Sequence, residues 1–246
     1  THNESLTKSV ITHLKKIFPE KEHEHLERVV VDVETWVRRL LSECGMESEE
    51  KFEKSRKIAY DSFTRMQENS GKSASHFGVM WEEYRGVIQG ANLYENDKLG
   101  MDDYLELPRD RGQYPKSDKA RMAVYKEVER FESKLENENS AFSRRNGGWT
   151  DQDMARRAKF VLKEQERGNF LDAVFIDEVQ DLTELQISLI IECIDGEGER
   201  RFEAAGDVSQ SVYPSAFRFE DLRSRVYEQL GRRPENHHVM TTNYRA

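Results

Sequence analysis

The stretch LDAVFIDEVQDLTELQ, residues 171–186, constrains this chain more than any other. Its apolar run stops at two adjacent carboxylates, Asp177 and Glu178, and Gln180 and Asp181 follow before an amphipathic segment begins. The run DAVFID predicts a short buried strand. After it the period changes to that of a helix, LTELQISLIIECI, with Leu182, Leu185, Leu189, Ile190 and Cys193 on one face and Asp195-Gly196 closing it. Ligand sites of open α/β sheets lie at the carboxyl ends of strands, where the acidic pair falls. An Asp there can supply a hard oxygen to a magnesium ion, and a Glu beside it can orient and activate a water. The plain alternative is that both residues favour the dipole of the following helix.

Strand and helix signals elsewhere set the expected fold. Residues 4–18 place Leu6, Val10, Leu14 and Ile17 at helical spacing, with Pro19 after them. VVVDV, residues 29–33, is a β-branched run that predicts a strand, and TWVRRLLSEC predicts a helix directly behind it. From about Glu47 to Asn146 the periodicity is helical throughout, interrupted by ENSGKS and ELPRDRGQYPKSD. RFEAAGD and HHVMTT predict further strands near the end. Helix and strand therefore alternate at both ends of the chain around a helical middle, which predicts an α/β protein with a parallel sheet.

Composition narrows the function classes. With 246 residues, 36% hydrophobic, 35% charged and 10% aromatic, the chain predicts a real core surrounded by charged helices. A net charge of −9 argues against nucleic-acid binding by bulk electrostatics, so any such contact needs a local groove. Two distant cysteines, Cys44 and Cys193, allow neither a disulfide framework nor a zinc spacing on their own. No apolar run reaches the roughly 18 residues of a membrane span, and an intracellular protein of nucleus or cytoplasm is expected. Thr1 is not a start methionine, and TTNYRA has no tail-like composition; a monomeric piece of a longer protein is the expectation.

Two later stretches add chemistry. In AAGDVSQSVY, residues 204–213, a strand ends in Gly206-Asp207 and Gln210 follows three residues on. A glutamine side chain both donates and accepts, so it suits sensing a γ-phosphate or its attacking water; an ordinary Gly-Asp turn is the alternative. In TTNYRA, Arg245 is a permanent planar cation suited to phosphate oxygens, or a surface arginine.

Taken in order, Asp177-Glu178-x-Gln180-Asp181, Gly206-Asp207-x-x-Gln210-Ser211-Val212-Tyr213 and Asn243-Tyr244-Arg245 resemble motifs II, III and IV of the UvrD/Rep-type superfamily 1 helicases. THNESL and VVVDVETW look like motifs Ia and Ib, and GGWTDQDMARRAKFVL looks like the helix before motif II. The longer loop before Phe217-Arg218 is similar to the helicase-like segment of the large TPR-and-ankyrin-repeat-containing proteins of eukaryotes.

The resemblance implies ATP and Mg²⁺ as cofactors, single-stranded DNA or RNA as partner, and further domains in a parent enzyme. Asp177 would ligate Mg²⁺, Glu178 would be the catalytic base, Gln210 would couple the γ-phosphate to the nucleic acid, and Arg245 would contact the γ-phosphate. Thr1, Asn3, Thr35, Phe217 and Arg218 would face nucleic acid. It further implies part of a RecA-like parallel sheet of the P-loop NTPase type: residues 1–45 and 149–240 as one interrupted domain, 46–148 as a helical insertion, and 241–246 opening a second domain. Gly71-Lys72-Ser73 lacks the first glycine of a phosphate loop, because position 66 is Met66. The loop is expected upstream of Thr1, and the fragment alone is expected to be inactive. A non-catalytic scaffold or nucleotide-gated interaction module is the alternative function.

Overall fold

The computed structural model describes residues 4–46, 74–91, 98–108, 117–137, 148–168, 170–194, 201–211 and 215–230. Helix α1 covers Glu4–Ile17, α2 His23–Val29 after a 3-10 turn at Glu20–Glu22, and α3 Val33–Glu43. Helix α4 (Ala74–Glu82) continues without a break into a π-helical turn, Glu83–Ile88. Helices α5 (Met101–Glu106), α6 (Asp118–Glu136) and α7 (Asp151–Glu164) follow. Strand β1 (Ala173–Ile176), helix α8 (Glu184–Glu192), strand β2 (Arg201–Ala204) and helix α9 (Phe219–Leu230) close the order.

The expected RecA-like parallel sheet is not what these residues form. About 70% of them are helical, and the sheet is a two-stranded, unclosed parallel pair, β1 with β2, in register from Ala173 opposite Arg201 to Ile176 opposite Ala204. The architecture is helical with a minimal sheet and does not match a P-loop NTPase or helicase core.

One predicted strand is absent among the described residues. Residues 29–33 do not form one: α2 runs through Val29, and Asp32 starts α3, its carboxylate accepting the Thr35 amide at 2.9 Å. A side-chain cap satisfies an otherwise orphaned amide, so the β-branched run is divided between a helix end and a helix start. The other strand, HHVMTT, lies outside the described residues.

Three apolar clusters hold the frame. One draws on residues 80–135: Met80, Tyr84, Ile88, Tyr104, Val128 and Phe131 meet there, with Tyr84 edge-on to Phe131 at 5.2 Å. A second joins Val37, Leu40 and Leu41 of α3 to Met154, Ala155 and Ala158 of α7 and Leu185 and Leu189 of α8. The third lays Ile187, Ile190 and Ile191 of α8 and Leu222 and Val226 of α9 against Ile176, with Val174 and Phe202 packed at its edge. Each fully buried aliphatic side chain contributes about 1.5–3 kcal/mol relative to exposure. Phe175 points the other way from β1 and is 67% exposed.

Charged and polar groups stitch the clusters together below the surface. Arg85 pairs with Asp151 at 2.9 Å, both side chains under 10% exposed. Gln152 donates to the same carboxylate at 3.0 Å and accepts from the Thr183 hydroxyl at 2.7 Å. The π-helical turn is thereby tied through α7 to the first residue before α8. Gly86 lets this turn meet the loop ahead of α9: a Cβ there would fall 2.7 Å from the backbone of both Ser215 and Ala216. Among the described residues no helix is long and apolar enough to cross a membrane.

Candidate functional site

Strand β1 ends at Ile176, and the next two residues are the acidic pair. Asp177 is exposed and Glu178 half-buried. Glu178 adopts a left-handed backbone, φ 55° and ψ 45°, a conformation that costs a non-glycine residue free energy. That twist turns the chain sharply out of the strand into a 3-10 turn, Val179–Asp181, whose three residues are buried. Asp177 Oδ1 accepts the Glu178 amide at 3.1 Å.

The Gly206–Gln210 turn leaves β2 beside this corner. The Ala205 amide donates to Ile176 O at 2.8 Å, and the Val179 amide donates to Ala205 O at 3.0 Å, so the parallel ladder runs one step past each strand. Gln180 then joins the two corners through its side chain. Its Oε1 accepts the Asp207 amide at 3.1 Å, and its Nε2 donates to Glu178 Oε2 at 2.6 Å. A backbone amide can only donate, so Oε1 must face Asp207 and Nε2 must face Glu178. Gln180 is 1% exposed, and the Ser215 hydroxyl donates to its carbonyl.

Gly206 is required by this contact. An added Cβ would lie 2.3 Å from Gln180 Oε1 and 2.9 Å from Val179 Cγ1. The turn beyond it is exposed and self-contained. Asp207 Oδ1 accepts the Ser209 amide at 2.9 Å, and Oδ2 accepts Gln210 Nε2 at 2.6 Å. These hydrogen bonds from Ser209 and Gln210 hold the Asp207 carboxyl below the usual aspartate range. Ser211 donates to Asp181 at 3.3 Å, a second link between the two corners.

The structure thus brings Asp177, Glu178 and the turn carrying Gln210 to one end of the parallel pair. Gln210 itself points its amide into its own turn. Thr35 lies in the first turn of α3, half-buried, with its amide on the Asp32 cap. Phe217 packs on the third apolar cluster and edge-on against Phe219 at 4.9 Å, and Arg218 pairs with Asp221 at 4.0 Å. Thr1, Asn3, Arg245 and the Gly71–Ser73 stretch lie outside the described residues. A cavity of about 30 Å³ lies between Gly86, Glu184, Phe217 and Arg225. It has room for a water-sized group, against the roughly 300–1,000 Å³ of a small-molecule pocket, and the acidic pair does not line it.

Among the described residues no group of three or more His, Cys, Asp or Glu side chains is arranged to hold a metal ion. That donor set does not build a resident metal site. A magnesium ion arriving with a nucleotide keeps several waters and would need only one or two carboxylates. Asp177 is exposed and takes its amide contact through Oδ1.

Gln180 stands in the acidic motif of the sequence but carried no assigned role there. Its signal was its position two residues after Glu178 and next to Asp181, directly beyond an apolar run. No protein-family model matches the chain, and no solved structure matches it.

Proposed function

We propose that Asp177, Glu178 and the Gly206–Gln210 turn form the hydrolytic part of a nucleoside-triphosphate site whose turnover is coupled to movement along single-stranded nucleic acid in the parent protein. The observation that supports this reading is the Gln180 clamp. It ties the carboxylate suited to act as base to the turn whose glutamine the motif order assigns to phosphate sensing. Bound magnesium triphosphate would supply the electrophilic phosphorus. Asp177 would offer Oδ2 to the metal. Glu178 has Oε2 occupied by Gln180, leaving Oε1 to take a proton from a water attacking in line as the bond to the bridging oxygen breaks. A helical frame carries this chemistry, and the reading requires a phosphate-holding segment besides the described residues.

A non-catalytic interaction module is the second reading. It is favoured by the Gln210 amide, which is satisfied by Asp207 within its own turn. The full natural chain decides between them when its ATP hydrolysis is measured with and without single-stranded DNA and RNA. Hydrolysis stimulated by a single strand is the expected result. Nucleotide binding with no turnover under any strand supports the module.

A further inference from the structure

We infer that Gln180 is the positioning residue for Glu178, fixing the orientation of the base and linking it mechanically to the turn after β2. This rests on the hydrolytic reading above. Three observations carry it. Gln180 has one side-chain donor at Glu178 and its acceptor at Asp207, so both ends of a single rigid amide are committed. Its backbone is pinned as well, because the Ser215 hydroxyl holds its carbonyl from the loop ahead of α9. Finally, Gly206 leaves no spare room: the space a Cβ would need is already filled by Gln180 Oε1.

A base held this way has few orientations, although its backbone sits in a left-handed conformation on a sharp corner. Fixing a catalytic carboxylate removes the loss that misplacement brings, which reaches about a hundredfold for an error of roughly 1 Å. The same amide transmits displacement. If the Gly206–Asp207 turn shifts, the Asp207 amide draws on Oε1 and Nε2 moves with it, so Glu178 is released or reoriented. The base is therefore engaged only when the turn is seated.

Gln180→Glu and Gln180→Ala in the full natural chain test this, with Glu178→Gln as reference. Gln180→Glu preserves size and the acceptor for Asp207 but replaces the donor with an oxygen facing Glu178. The expected result is a fall in kcat of about tenfold to a hundredfold, with KM for ATP close to the wild-type value and both variants folded at the assay temperature, although each unfolds at a lower temperature because buried hydrogen bonds are lost. Three results overturn the role. One is unchanged kcat in both variants while Glu178→Gln abolishes turnover. Another is a loss in kcat that merely follows lost stability. The third is unchanged turnover in Glu178→Gln, or no hydrolysis by the wild-type chain, which removes the hydrolytic reading and this role together.

Discussion

Replacing Gly206 with alanine tests the junction between the two corners without any need for activity. The backbone of Gly206 is not left-handed, so alanine meets no torsional penalty there. Its Cβ would, however, stand 2.3 Å from Gln180 Oε1 and 2.9 Å from Val179 Cγ1, where ordinary contacts begin near 3.4 Å. Neither neighbour yields freely. Val179 is fully buried, and Gln180 is held at both ends. Relief requires Oε1 to retreat by about an ångström, which breaks the 3.1 Å bond to the Asp207 amide.

Overpacking of this kind costs about 1–3 kcal/mol, and the lost hydrogen bond costs about 1 kcal/mol more. The stiffer unfolded chain offsets about 0.4–1 kcal/mol. The net loss is about 1–3.5 kcal/mol, which for a chain of this length lowers Tm by about 2–14 °C. Thermal unfolding followed by circular dichroism reads it directly. Unfolding within about a degree of wild type would show that the turn does not bear on Gln180, and the account of the junction would fail.

Further expectations concern the frame. Thr183→Ala removes the capping box with Gln186 and the hydroxyl bond to Gln152, and should cost about 2 kcal/mol in denaturant unfolding, while Thr183→Ser restores most of it. Arg85→Met strands a buried Asp151 and should cost about 3–5 kcal/mol, whereas the double variant Arg85→Met/Asp151→Leu should recover much of that loss. Burial, then Glu192 and Cys44, push the Cys193 thiol up to about 12, so at mildly alkaline pH the thiolate is absent from the folded state. Alkylation should label Cys44 first and Cys193 only on unfolding; equal rates for both would contradict the packing around Cys193.

What the sequence disclosed depended on how local each feature is. Helix α8 was legible because its apolar spacing repeats within a few residues. Strand β1 was legible from a run of four apolar residues, and β2 from the strand before Gly206. Residues 29–33 misled because a β-branched run predicts a strand, whereas the Asp32 carboxylate caps α3 inside it. The parallel sheet was expected from four strand-like runs and its RecA-like form from a family resemblance, whereas the described residues supply only β1 and β2.

The site divides in the same way. Adjacent Asp177 and Glu178 announce themselves, but the Gln180 clamp joins residues 27 positions apart and the Arg85–Asp151 pair spans 66. No local pattern encodes such contacts. Gly206 likewise reads as a turn glycine in sequence, and only the packing shows that Gln180 occupies the space beside it.

The most direct measurement of the central claim is a single-turnover ATP assay on the Glu178→Gln variant of the full natural chain, paired with nucleotide binding. If Glu178 is the base, the variant binds nucleotide as the wild type does and its turnover falls by at least about a hundredfold. Turnover at the wild-type rate in that variant would contradict the claim and leave the acidic corner without a hydrolytic role.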